Sequence, residues 1–235
     1  MTGSIQGKEK FLQNIADRFG REEPITSGVE VPEWQNRPQD AVYAGLNQAQ
    51  LQEKLIEHCD VIHTTVETTT KAELADVVER AFADYGTAPV VYWDDPRMEH
   101  FGLADRLASR PDTHRWDEND PDLAVAQAAD AKIGLTFSDV TLAESGTLVL
   151  FSGPGKGRAV SLLPEGHIAL IPRSTIVPRM TQAASIIHER QQEDGIVPSC
   201  INFISGPSNS ADIEMRLLVG VHGPVRAHYI IIEDA

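Results

Sequence analysis

At 235 residues, 41% of them hydrophobic, the chain holds enough apolar material for one large core, or for one domain with a small appendage, and requires neither disulfide nor metal to fold. A formal charge of -15 excludes a nucleic-acid surface, which needs clustered Lys and Arg, and no apolar run approaches the roughly 20 residues that cross a bilayer, so no membrane insertion is expected. The two cysteines, Cys59 and Cys200, form no C-x-x-C pair and leave no recognisable zinc or iron–sulfur motif; both are expected to be small buried residues, and no metal site is predicted.

The opening "MTGSIQGKEKFLQNIADRFG" lacks the basic-then-apolar order of a signal peptide, which points to a cytoplasmic protein. It sets Phe11, Leu12, Ile15, Ala16 and Phe19 on one helical face with Gly20 as the stop, so an amphipathic helix is predicted. Few basic residues flank that face, which favours docking on protein over docking on a membrane. The next stretch, "REEPITSGVEVPEWQNRPQDAVYAG", carries three prolines and no clear period, and reads as an extended arm. The division expected is a helix and arm over residues 1–46 and an α/β domain over 47–235.

Asn47 followed by Gln50 has the form of a capping box and opens a helix running to Cys59; Thr70 followed by Glu73 opens a second, with Leu74, Val77, Val78, Ala81, Phe82 and Tyr85 as its apolar face. "DVIHTTV" between them, then "APVVYW", "THRW" and "KIGLTF", read as short strands separated by helical segments around 98–108 and 123–131. Such alternation predicts a mainly parallel sheet flanked by helices. The rhythm changes in "DVTLAESGTLVLFSGPGKGRAVSLLPEGHIALIPR", where strand-like runs broken by Gly and Pro predict an antiparallel excursion. A helix near 181–192, a strand "CINFI", a short helix and a last strand "AHYIII" complete the α/β frame.

Charge is uneven along the chain. Residues 1–131 carry 25 acids against 12 Lys/Arg, whereas 132–235 carry 10 against 8, so the second part suits an anionic small molecule better. Three constellations there carry chemistry. In "ISGPSNSADIE", Ser205, Gly206, Ser208 and Asn209 supply donors in a turn expected to lead into a helix, either as a site for a small anionic or hydroxylated ligand or simply as a helix cap, with Asp212 close by. In "AESGTLVL", Glu144 at a strand end is a candidate base or nucleophile, with Ser145, Gly146 and Thr147 beside it; the alternative is a solvated hairpin residue. In "FSGPGKGR", Lys156 and Arg158 lie among glycines in a spacing that is not a P-loop, and form either a flexible anion clamp or a mobile hairpin tip. His222, held between Gly and Pro in "GVHGP", is the histidine best placed for a site, though a lone histidine is commonly structural. Ligands of parallel sheets collect beyond the carboxyl ends of strands, so Glu144 and residues 205–209 are expected to line one cleft there, with Lys156 or Arg158 near its mouth.

Taken together, "GLTFSDVTLAESGTLVL", "GPGKGRAVSLLPEGHIAL" and "ISGPSNSADIEMRLLVGVHGP" resemble the lactate utilization (LUD) domain family, and "KEKFLQNIADRFGR" is similar to the opening helix of such proteins. The resemblance implies a fold like that shared by ribose-5-phosphate isomerase, glucosamine-6-phosphate deaminase and CoA transferases. It implies a part in oxidising L-lactate to pyruvate beside iron–sulfur and cysteine-rich lactate utilization proteins, with the iron–sulfur clusters in those partners and no cofactor bound by this chain. The chain is then an accessory or substrate-binding subunit; a stand-alone acyl or CoA transferase using Glu144, and a non-catalytic scaffold, are the alternatives.

Overall fold

The computed structural model describes residues 6–25, 27–28, 33, 35–86, 89–195, 197–211 and 216–235. The chain divides into two units, residues 1–38 and 39–235. The first contains α1 (Lys8–Arg18), ended by Phe19 and the left-handed Gly20; Phe11, Ile15 and Phe19 are exposed and Ala16 is buried.

The second unit opens with α2 (Gln48–Val61), where both bonds of the Asn47/Gln50 capping box are made and Leu51, Leu55 and Cys59 repeat at four-residue intervals on the buried face. β1 (Thr65–Thr69) begins only after "VIHT", because Val61 still belongs to the helix. α3 (Leu74–Ala83) buries Leu74, Val77, Val78, Ala81 and Phe82. There follow β2 (Val90–Tyr92), α4 (Arg97–His100), α5 (Ala104–Ser109), β3 (Thr113–Arg115), α6 (Pro121–Asp130), capped by Asp120, and β4 (Ile133–Phe137). The remainder comprises β5 (Val140–Leu142), β6 (Thr147–Phe151), α7 (Ala159–Leu162), β7 (Gly166–Pro172), β8 (Ile176–Val177), α8 (Met180–Asp194), β9 (Ile201–Ser205), β10 (Asn209–Ser210), β11 (Leu218–Val219) and β12 (Arg226–Ile232).

Six strands form an all-parallel sheet in the order β1-β12-β7-β4-β2-β3. Its central strands are near-continuous apolar runs, "IGLTF", "GHIALIP" and "AHYIII", because helices cover both faces. One face packs on α3, α4 and α5, the other on α2, α6 and α7. The connections from β1 to β2 and from β2 to β3 run one way across the sheet; those from β3 to β4 and from β4 to β7 run the other. Strand order therefore reverses between β2 and β4.

The excursion forms a second sheet, β8-β5-β6-β9, in which β6 is antiparallel to β5 and β9 while β5 and β8 are parallel. Leu148 and Leu150 point into the core shared with α2 and the parallel sheet; Val149 and Phe151 point to α8. Two expectations change here. "CINFI" forms β9 of this second sheet, not part of the parallel frame: Ile201 packs toward α8 and Ile204 toward the shared core, while Phe203 stays exposed. Where a helix was expected after the Ser-Gly-Pro-Ser turn, Asn209 and Ser210 pair instead with Val219 and Leu218; residues 212–215 lie outside the described residues. Cys59 is buried, but Cys200 is only half-buried, just before β9. Among the described residues no helix is long and apolar enough to cross a membrane.

His167 on β7 is buried opposite Gly134 of β4, with Nε2 2.9 Å from Thr136 Oγ1. Burial pushes its pKa down to about 4, whereas an unfolded histidine titrates near 6.5. Between those values the unfolded chain binds a proton that the folded chain refuses, so stability falls as pH drops from about 6.5 toward about 4, by up to about 3 kcal/mol from this group, and levels off below. Urea unfolding across this range is expected to show that slope in the native sequence and a shallower one in His167→Gln.

Candidate functional site

The Glu-Ser-Gly-Thr and Ser-Gly-Pro-Ser turns are physically joined. The parallel register of β5 and β8 continues past both strands, with Ala143 N donating to Val177 O (2.9 Å) and Glu144 N to Pro178 O (3.2 Å). This places Glu144 beside Arg179, whose Nε donates to Glu144 Oε2 at 2.5 Å, both side chains half-buried. Among the described residues that carboxylate is the only partner of the guanidinium, so its terminal nitrogens remain available to a second anion.

On the other side of the turn, Thr147 stands opposite Ser205 in the β6–β9 ladder. Three hydroxyls line up there: Ser145 Oγ is 2.7 Å from Thr147 Oγ1, which is 2.6 Å from Ser205 Oγ. Beneath them the Tyr229 hydroxyl, wholly buried on β12, donates to Gly146 O (3.0 Å) and accepts from Gly206 N (3.1 Å). Burial pushes this phenol far above its ordinary value, so it acts as a neutral donor and acceptor. Gly146 (φ +60) and Gly206 (φ +64) both need left-handed backbone, and an added Cβ at either would strike Ile62 at 2.6 Å or 2.7 Å.

Ser208 extends the corner into the last loop. Its N donates to Pro224 O (2.8 Å), its O accepts from Gly220 N (2.9 Å) and its Oγ accepts from His222 N (3.3 Å). Asn209 Nδ2 turns back to Pro207 O (3.1 Å), and the His222 ring is exposed. Glu144, Ser145, Gly146, Thr147, Ser205, Gly206, Ser208, Asn209 and His222 are thus placed along one connected set of turns; Asp212 lies outside the described residues.

Two sequence-based placements are corrected. The corner does not lie beyond the carboxyl ends of the parallel strands. Gly206 rests on Ile62 and Thr64, which precede β1, and Ser208 bonds Pro224, which precedes β12, so it stands at the amino edge. Lys156 and Arg158 also do not border it. They follow the far end of β6, and Arg158 Nη1 reaches Cys200 at the start of β9 (3.7 Å) while Ser205 ends that strand; a five-residue strand separates the two ends by about 13 Å.

Lys156 belongs instead to a charge cluster at the carboxyl edge, in the crevice between β2 and β4 where strand order reverses. Asp95, after β2, receives Arg97 Nη2 (2.6 Å) and Nε, and lies 3.1 Å from Lys156 Nζ. Asp139, after β4, takes Arg97 Nη2 at 2.9 Å and Lys156 Nζ at 3.2 Å, with its other oxygen held by Phe151 N (2.8 Å). Burial alone would raise the Asp95 carboxyl, but hydrogen bonds and charge from Arg97, with Lys156 behind them, hold it down to about 2; the two carboxylates in turn raise Arg97 against its own burial.

The glycine loop carrying Lys156 is clamped rather than free. Asp94 N donates to Gly155 O (3.0 Å), Trp93 Nε1 donates to Gly157 O (2.9 Å), and Gly157 leaves no room for a Cβ against the Trp116 ring. Cavities of about 450 and 390 Å³ flank this edge, sharing Asp94 and Arg115, and a third of about 420 Å³ lies under Phe151, Lys156 and Arg190.

Sequence reasoning missed Arg97, Arg179 and Tyr229. A tyrosine running into the apolar "YIII" does announce a buried hydroxyl in need of partners; nothing local marks either arginine. Arg97→Met leaves the buried Asp95 carboxylate with Lys156 and the main-chain N–H of residue 97 (2.9 Å) but without the guanidinium, and is expected to cost about 3 kcal/mol in urea unfolding, whereas Lys156→Met, which keeps the two-point Arg97 contact, costs about 1 kcal/mol.

The LUD domain family model matches residues 52–232. Lactate utilization protein C of Geobacillus sp. (strain WCH70) is 51% identical over 238 residues, covering 99% of this chain and 98% of that protein. Its counterpart in Anoxybacillus flavithermus is 51% identical over 226 residues, 96% of this chain and 99% of that one. Among solved structures, a DUF162 family protein from Deinococcus radiodurans superimposes with a TM-score of 0.60 at 23% identity, over 80% of this chain and 99% of that chain, a likeness of fold.

Proposed function

Because the chain belongs to the LUD domain family, we propose that it serves lactate utilization as an accessory or substrate-binding subunit, beside iron–sulfur partner proteins that take the electrons when L-lactate becomes pyruvate. The carrying observation is identity of about half over nearly the full length with proteins named lactate utilization protein C. A divided function of that kind asks this chain to bind and orient a small 2-hydroxy acid.

The Glu144 corner has the groups for it. A carboxylate finds the free terminal nitrogens of Arg179, and a neighbouring hydroxyl finds the row Ser145, Thr147 and Ser205, whose spacing is fixed by the ladder and by Tyr229. Glu144 then holds Arg179 in place and stands within reach of a proton leaving the substrate hydroxyl. The ion pair favours binding over acyl transfer, since a carboxylate committed to a guanidinium is a weaker nucleophile.

A strain lacking this chain, with no second lactate oxidase, is expected not to grow on L-lactate. Complementation with the native sequence restores growth, and Arg179→Met and Glu144→Gln do not, although both variants fold and copurify with the iron–sulfur partners. Normal growth of the deletion strain would show the reading to be wrong. Restoration by both variants would remove the corner from the function while leaving the subunit role.

A further inference from the structure

The open edge of the second sheet has the features of an interface. β9 ends the order β8-β5-β6-β9. Ser152 N donates to Cys200 O (3.0 Å), which makes 152 and 200 a hydrogen-bonded pair; counting along the register, Leu150 with Asn202 and Leu148 with Ile204 are the next such pairs. The close contact of the Thr147 and Ser205 hydroxyls fits the alternate, non-bonded kind of pair, in which side chains approach more closely. Ile201, Phe203 and Ser205 therefore aim their main-chain N–H and C=O groups away from β6, and among the described residues these groups have no partner.

This edge carries none of the usual protections. "INFIS" has no charge and no proline within it, Pro198 and Pro207 lying outside both ends, and its register with β6 runs unbroken by a bulge. Its middle residue, Phe203, is 41% exposed on the α8 side of the sheet.

We propose that two copies of this chain pair through β9, antiparallel about a twofold axis at Phe203. Ile201 then faces Ser205 of the second copy and Phe203 faces Phe203, and each facing pair exchanges both main-chain bonds. The sheet becomes continuous across the axis, and the two exposed rings cover one another as a cross-strand aromatic pair. Self-pairing sets every side chain against its own copy or its mirror position, so a charged strand would oppose like with like. The neutrality of β9 in a chain of net charge -15 meets that requirement. This inference does not depend on the proposed lactate site.

Sedimentation of the full chain at moderate salt is expected to show a species of twice the mass of one chain, dissociating on dilution. Phe203→Lys, which places two cations at the axis, should weaken the dimer by about 10-fold or more, while Leu123→Lys on exposed α6 leaves it unchanged. On the native sequence alone, hydrogen exchange at the amides of Ile201, Phe203 and Ser205 should slow as concentration rises into the dimer range, a readout that needs no variant to fold. A chain that stays monomeric at roughly 100 µM, a dimer indifferent to Phe203→Lys, or β9 amides that exchange equally fast at all concentrations overturns the proposal. Protection of those amides only on adding another protein does so too, by assigning the edge to that partner.

Discussion

Tyr229 lies on β12, inside the parallel sheet, with its ring packed in the core that the second sheet shares. A hydroxyl at that depth has to find partners, because leaving it dry and unbonded costs about 1–3 kcal/mol. It finds them in the main chains of Gly146 and Gly206, one before β6 and one after β9. That pair of bonds sets where two turns from distant parts of the sequence meet. The hydroxyl row of Ser145, Thr147 and Ser205 and the exit of the chain toward Ser208 follow from it. The glycines follow too, since the turns approach Ile62 too closely for any side chain.

At the opposite edge of the parallel sheet, electrostatics does comparable work. Carboxylates after β2 and β4 would repel each other in a half-buried crevice; Arg97 and Lys156 each bridge both. Lys156 can do so only because the glycine loop is pinned by Trp93, Asp94 and Trp116. The position where an open parallel sheet ordinarily receives a ligand is thus occupied by the chain's own charges, flanked by separate cavities. The Glu144 corner stands at the other edge, joined to this cluster by β5, which runs from Asp139 to Glu144, and by β6 and β9 beside it.

Helices and parallel strands were legible because their causes are local. A capping box at Asn47 and Gln50, a 3.6-residue apolar period from Leu74 to Phe82, and doubly buried strands such as "IGLTF" each carry their signal within a few residues. "CINFI" is the counterexample. Its apolar run states that it is a strand but not in which sheet, and only its pairing with β6, with Ile201 toward α8 and Ile204 toward the shared core, assigns it to the edge of the second one.

The sequence by itself determined the α/β frame, the antiparallel interruption and the grouping of Glu144, Ser145, Thr147, Ser205 and Ser208 as polar side chains in turns and at the strand ends beside them, because residue type and short-range spacing carry those properties. Only the tertiary structure decided which edge of the sheet the turns occupy, that Lys156 pairs with Asp95 and Asp139, and that Arg179 is the cation beside Glu144. Those are pairings between groups far apart in the chain. Their energy depends on distance and burial, and neither exists until the strands have chosen their neighbours.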